Sequence, residues 1–495
     1  MKLGARGRRG GGASSHPLRR LPPDHGLVGR YPPDHRRAYA DLANGFVRLA
    51  ADLCRRDPQI TAMGSVEPAL TDVAEYLRRR LLRPGDLEVV QALALVTRVG
   101  YKSDVAHELD ELCMLTGLDR RTVVSVVNRL HDVPGFIAKG GRYLYITPEI
   151  IAQVAFDAAW RHWCEDDPAA FLAAIPPSLV SVFMDRVTRS ASEEVRRIVG
   201  GNFRRWASGF ASRQLAEPAA VHTLVTLADI DPATYLARLH AIIEDARIED
   251  LVQIGRASGT YAVRRPVVWL AERLAAFPEY FDDAEAILLR LAIAENEPNI
   301  VNNATGIWRQ LFRIGLSGTA VPFPRRLSLL RDHIYARDAR VSSLALSALD
   351  AVFERTHTRT AGPSVVGGRL LPPEWRPTSR EELSHCLALA VDLLVELSNE
   401  GARFGQEPHD IAIRHMRALL VAGRLAALEK LFAGDKVPDD VRARAAAAVE
   451  MCLCYDVESP NGYLRAFDTY VADIRSWLEG LKPIDTQGRL LLSLE

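Results

Sequence analysis

The chain has 495 residues, 48% of them hydrophobic and 25% charged, the composition of an ordinary globular protein long enough for about three domains. Its 62 basic and 62 acidic side chains cancel, which argues against a dedicated nucleic-acid coat and leaves room only for a local basic patch. No run approaches the roughly 18 apolar residues of a membrane span, and no apolar stretch follows the basic N-terminus as in a secretory signal.

Cys54, Cys113, Cys164, Cys386, Cys452 and Cys454 are scattered through apolar stretches without metal-ligand spacing. The expectation is a cytoplasmic protein with reduced core thiols, no bound metal and no membrane partner.

Residues 1–35 are rich in Arg, Gly, Pro and His, and Pro22-Pro23-Asp24-His25 recurs as Pro32-Pro33-Asp34-His35. Such a segment buries too little apolar area to fold alone, so a disordered basic tail is expected. Residues 36–85 turn helical, with the 3.6-residue spacing strongest in Ala43-Asn44-Gly45-Phe46-Val47-Arg48-Leu49-Ala50. Pro84-Gly85-Asp86 ends that segment.

Residues 86–148 read as a winged helix. Three short helical patterns are followed by two β-prone runs around Lys139-Gly140-Gly141-Arg142, and the unit closes on Tyr143-Leu144-Tyr145-Ile146-Thr147-Pro148. Asp119 stands where an N-cap opens the third helix, since its carboxylate can accept from the first unpaired N–H groups.

If that helix entered a DNA major groove, Arg120, Arg121, Ser125, Asn128 and Arg129 would be the contacts, Arg suiting guanine and Asn adenine. Lys139 and Arg142 of the wing would meet phosphate. Against DNA stand the breadth of the apolar stripe (Val123, Val124, Val126, Val127, Leu130), which suggests burial on more than one side, and the acids Asp110, Glu111, Asp119 and Asp132. A DNA reader and a protein-packing module both remain open.

Residues 149–355 read as an irregular helical array, residues 356–380 as a linker and residues 381–495 as a C-terminal helical domain; the fold class is mainly α with a small β-wing. No catalytic constellation emerges. Gly315-Leu316-Ser317-Gly318 lacks the final Gly and the preceding strand of a nucleophile elbow, and reads as a helix-ending turn with Gly318 at positive φ. Glu295 to Asn303 reads as a loop and cap ahead of the helix at Ala304. Asp282, Asp283 and Glu285, like Glu165, Asp166 and Asp167, read as acids complementing helix dipoles.

Residues 43–50 resemble the helical lid that follows the nucleotide-binding core of STAND-type signalling ATPases, relatives of the NACHT and NB-ARC proteins. Arg98-Val99-Gly100-Tyr101, the helix with Glu108, Leu109 and Leu112, and the run from Gly140 to Pro148 are similar to the winged helix that comes next in that class. Trp308-Arg309-Gln310-Leu311-Phe312 and Leu316-Ser317-Gly318-Thr319 look like the helical sensor arrays of its bacterial members.

The resemblance implies a regulatory and sensor region, acting in bacterial defence or stress sensing, that binds a protein partner through the array and oligomerises on activation. Arg98, Tyr101 and the wing would then couple the domains. The class departs from this chain at one point. Walker A requires Lys after its last Gly, but Gly7 to Ser14 has Ala13 there, so ATP is implied only with a nucleotide core upstream and no catalysis is expected from this chain. The reading from another class is a winged-helix transcriptional regulator with a helical sensor domain.

Overall fold

The computed structural model of the chain describes residues 84–132, 136–190, 192–254, 264–296, 302–354, 365–434, 437–459 and 462–482. The tail expected over 1–35, the helical segment expected up to 83, Cys54 and the glycine run Gly7 to Ser14 lie outside the described residues. The fold is mainly α with a small three-stranded sheet, as expected. It divides into two units at Ala159/Trp160.

In the first unit the elements run α1 (Pro84–Ala94), β1 (Val99–Gly100), α2 (His107–Thr116), α3 (Arg120–Asp132), β2 (Ile137–Gly140), β3 (Tyr143–Ile146) and α4 (Glu149–Ala159). The sheet is antiparallel in the order β1-β3-β2, with Val99 opposite Leu144 and Ile137 opposite Ile146. Asp119 caps α3 as expected, its Oδ2 accepting from the Thr122 N–H at 2.9 Å. Val123, Val126, Val127 and Leu130 recur at i, i+3, i+4 and i+7 and are all buried. Full burial of each contributes about 1.5–3 kcal/mol relative to exposure.

Two expectations change here. Val124 is 37% exposed, so the apolar stripe of α3 is single-sided and does not bury a second face. The boundary drawn at Pro148 moves to Ala159, because α4 buries Ile150, Ile151, Val154 and Phe156 and packs on α1.

The second unit is a stack of short helices. Proline starts many of them: Pro168, Pro177, Pro218 and Pro232 each occupy a first helical turn, where a missing N–H costs nothing. Asp167, Asp231, Asn303 and Ser379 supply side-chain caps. Asn303 thus performs the capping role read for the polar run ahead of Ala304.

Helix C-termini are closed differently, by arginines reaching over from other elements. Arg238 donates to the carbonyls of Ala207 and Ser208 at 3.3 Å each. Arg290 does so to Glu244 and Ala246 at 3.0 and 2.7 Å, and Arg403 to Tyr335 and Ala336 at 2.8 and 3.0 Å. Buried Arg264 and Arg326 bind carbonyls in the same way: Leu251 (3.1 Å) and Ala294 (2.9 Å) for the first, Leu311 and Arg313 (2.6 Å each) for the second. Each guanidinium satisfies carbonyls that have no intrahelical partner and sits at the negative end of a helix dipole.

The segment expected as a linker is not one over its described part. A two-stranded hairpin, β4 (Val365–Val366) and β5 (Arg369–Leu370), lies against the stack, with the Gly367 N–H on the Asp229 carbonyl at 2.8 Å. Trp375 follows, its N–H on the Thr319 carbonyl at 2.8 Å. The C-terminal helices are continuous with the earlier ones: Phe323–Ile334 packs on Arg380–Asn399, joined by an Arg331–Glu396 ion pair at 2.7 Å. One continuous unit therefore replaces the expected separate domain.

Candidate functional site

The outer face of α3 carries every candidate that the sequence placed there. Arg120, Arg121, Ser125, Asn128 and Arg129 are all exposed, because they occupy the positions between the buried valines. Lys139 joins the wing to this face by donating to Asn128 Oδ1 at 2.9 Å.

Three of the arginines, however, are closed by carboxylates of the same unit. Arg120 pairs with Asp110, Arg129 with Asp86, and Arg142 with Asp104 at 2.5 Å. The Arg142 hydrogen bond holds the Asp104 carboxyl below the usual carboxylate range, and Asp104 in turn raises the guanidinium. Asp119, held low by the Thr122 N–H and hydroxyl, adds a fourth negative charge at the mouth of the helix. On α3 and the wing only Arg121 and Lys139 keep a cation outside an ion pair among the described residues.

Composition alone could weigh the acids but could not pair them. Asp110 was visible as a diluting charge. Asp86 and Asp104 were not, since they reach Arg129 and Arg142 across 43 and 38 residues.

The predicted coupling residues do come together. Arg98 lies over the Tyr143 ring at 4.7 Å and Arg142 at 5.7 Å, while Tyr101 donates its N–H to the Arg142 carbonyl at 3.0 Å. β1 and the wing therefore form one stacked cluster, with the Gly100 N–H on Glu108 Oε2 at 2.7 Å fixing it to α2.

Beside α3 lies an open groove of about 420 Å³ lined by Cys113, Met114, Leu118, Asp110 and Arg120 among others. Met114 is 75% exposed. It falls off the buried stripe of Leu109, Leu112, Cys113 and Thr116, the one sequence signal that could have found it. An exposed Met beside Arg is a composition enriched at protein interfaces.

Elsewhere the structure places the remaining candidates read from the sequence. Ser317 and Thr319 are wholly buried, and Gly318 takes the positive φ read for it, +79°, with its N–H on Glu374 Oε2 at 3.0 Å, but it does not end a helix as expected, because the helix Ala304–Gln310 has already stopped at Gln310. The acids at the start of Phe281–Ile293 do more than complement a dipole. Asp282 accepts from Arg325 at 2.8 Å, and Asp283 meets His240 at 2.7 Å. Glu285 is buried against Trp308 Nε1 at 2.6 Å and His333 Nε2 at 3.0 Å.

Among the described residues no three His, Cys, Asp or Glu side chains are grouped to hold a metal ion, and no helix is long and apolar enough to cross a membrane. Cys113, Cys164, Cys386 and Cys452 are buried, and burial pushes the Cys164 thiol up to about 12; Cys454 departs from the expectation and is exposed. Comparison with protein-family models, characterised proteins and solved structures gives no match.

Proposed function

We propose that this chain is a regulatory and sensor region of a STAND-like signalling protein, of the kind used in bacterial defence or stress sensing. In this reading α3, the groove at Met114 and the wing dock on protein, and the helical array senses a partner. The mechanism is a population shift: a partner that binds one arrangement of the domains better than another biases the equilibrium by its difference in affinity. Oligomerisation on activation and an ATP-binding core supplied in association with this region complete the proposal.

The observation that carries it is the closure of Arg120, Arg129 and Arg142 by Asp110, Asp86 and Asp104. A face built to attract phosphate gains affinity from uncompensated cations. A face that docks on protein gains from neutralised guanidiniums beside exposed Met114 and Val124.

The test is to capture the protein from its native cell through its C-terminal helices and analyse the acid extract for nucleotide. Stoichiometric ADP or ATP supports the reading; its absence, with no P-loop protein in the complex, overturns it. A second reading, a winged-helix transcriptional regulator, is favoured by the exposed run of Arg121, Ser125 and Asn128. It requires a sequence-specific duplex site bound well above background.

A further inference from the structure

The helix Asp439–Leu453, extended by the π-helical turn Cys454–Glu458, packs on Glu407–Arg414, Met416–Val421 and Asp468–Leu481 and buries Val441, Ala445, Val449 and Cys452 on that side. Its opposite side is uncovered. There Arg444, Ala447, Met451, Cys454 and Glu458 follow one another alternately three and four residues apart, which keeps them on one stripe of the helix. Tyr455 stands beside Met451, one turn on. Met451 is 58% and Tyr455 61% exposed. The outward side of the neighbouring helix Asp468–Leu481 is polar by contrast, with Asp473, Arg475, Ser476 and Glu479 exposed.

The stripe is complementary to its own reverse. Ala447 and Ala448 precede Met451 by four and three residues, and Tyr455 and Cys454 follow it by four and three. Arg444 precedes it by seven, and Glu458 follows it by seven. Two copies of this helix crossing antiparallel at Met451 would set each Tyr455 against the small side chains of the other copy's Ala447 and Ala448. They would also bring each Glu458 toward the other copy's Arg444. Both charges are available. Glu458 is in no ion pair among the described residues. Arg444 holds Asp410 through Nη1 at 2.6 Å and Gln406 through Nη2 at 3.2 Å, and its Nε stays outside those contacts.

We propose that this stripe is the interface of a homodimer, in which two copies of the chain join through a two-fold, antiparallel pair of these helices. A two-fold contact has to be self-complementary. Here the small side chains face the large ones and the cation faces the anion only when the stripe meets itself. A partner of any other kind gives no reason for these pairs to stand at equal distances from one residue. The alanines let the two helix axes approach closely, and the flexible Met451 fills the crossing point. The apolar strip is narrow, so the dimer is weak, with a Kd of about micromolar. It offers a surface for the oligomerisation in the proposed function, yet it stands on its own residues. A dimer formed here by a chain whose native complex holds no nucleotide would uphold this inference and overturn that reading.

The experiment is sedimentation equilibrium of the full chain from about 1 to 100 µM, which should show a monomer–dimer equilibrium. Met451→Glu opposes two carboxylates at the crossing and should weaken the dimer on the order of a hundredfold. Because Met451 is exposed, the melting temperature should barely move. Ala447→Tyr overfills the place of the other copy's Tyr455 and should weaken the dimer on the order of tenfold. The double variant Ala447→Tyr/Tyr455→Ala should restore it, since the large side chain has only moved to the other side of the crossing.

Arg475→Glu, on the polar side of the neighbouring helix, should leave the dimer intact. A wild-type chain that is monomeric at about 100 µM would overturn the proposal. So would a dimer that survives Met451→Glu or Ala447→Tyr, an equal loss in Arg475→Glu, or a double variant that stays as weak as Ala447→Tyr alone.

Discussion

Replacing Asp86, Asp104 and Asp110 with Asn should turn the α3 face into a non-specific DNA binder. Asn keeps an oxygen acceptor for each arginine, so the guanidiniums hold their places while the negative charge is removed. Two of the three pairs are solvated, with both partners at least 49% exposed, and pairs of that kind contribute about 0–1 kcal/mol each. The Asp86 side chain is only 9% exposed, so most of any lost stability will come from that site.

The electrostatic gain follows from counting cations. Arg121 and Lys139 make two usable contacts in the wild type, and the variant adds Arg120, Arg129 and Arg142. At about −0.9 per phosphate contact, the log–log salt slope should steepen from about −1.8 to about −4.5. Between about 50 and 200 mM salt the wild type should lose about 12-fold in affinity and the variant about 500-fold. Fluorescence anisotropy with a duplex of about 20 base pairs reads both slopes. A wild-type slope already near −4.5 would refute the reasoning, for it would mean that phosphate displaces the carboxylates and that the ion pairs do not guard the face.

Arg326→Met should destabilise the chain by about 3–5 kcal/mol, because it strands the buried carbonyls of Leu311, Arg313 and Val321; urea unfolding would measure it, and a loss under about 1 kcal/mol would show that those carbonyls find other donors. Gly368→Val should free the β4–β5 hairpin, since Gly368 stands at φ +70° and a Cβ would lie 2.1 Å from Arg196 Nη1; the expected readout is rapid protease cleavage within 365–370 at an unchanged far-UV spectrum, and a protected hairpin would contradict it. The Arg417 guanidinium holds the Asp456 carboxyl below its ordinary 3.8. A depressed folded value means stability present above pH 3.8 and lost as pH falls through the folded value, so Asp456→Asn should flatten the acid limb below pH 3.8 while lowering stability at neutral pH, and an unchanged acid limb would count against the pairing.

What the sequence disclosed was local, and what it withheld depended on distance. The cap at Asp119, the hairpin after α3 and the positive φ at Gly318 follow from neighbours within a few residues, and each appears where expected. The exposed face of α3 followed from periodicity, except that Val124 was assigned to the core when it lies outside it. The pairing of that face did not follow, because ion-pair partners tens of residues away leave no spacing signature. The hairpin at 365–370 failed for a related reason. Its Pro and Gly content matches that of a linker, and only Arg196, Asp229 and Glu279, more than 80 residues earlier, reveal it as docked.

Arginine explains why bulk charge misled least and local charge most. A chain with balanced charge can still be rich in guanidinium, and here most of it is internal fastening. Arg238, Arg264, Arg290, Arg326 and Arg403 close helix ends, while Arg309, Arg313 and Arg414 bind Asp350 and Glu354 between helices. Each of these uses its positive charge inside the protein and leaves little field outside it. Functional electrostatics must then be sought where an arginine satisfies no carbonyl and meets no carboxylate. On that criterion α3, which a motif-based reading would favour, retains one such arginine, Arg121. The end of the helix Glu193–Ser208 and the turn after it, which no motif marks, retain three.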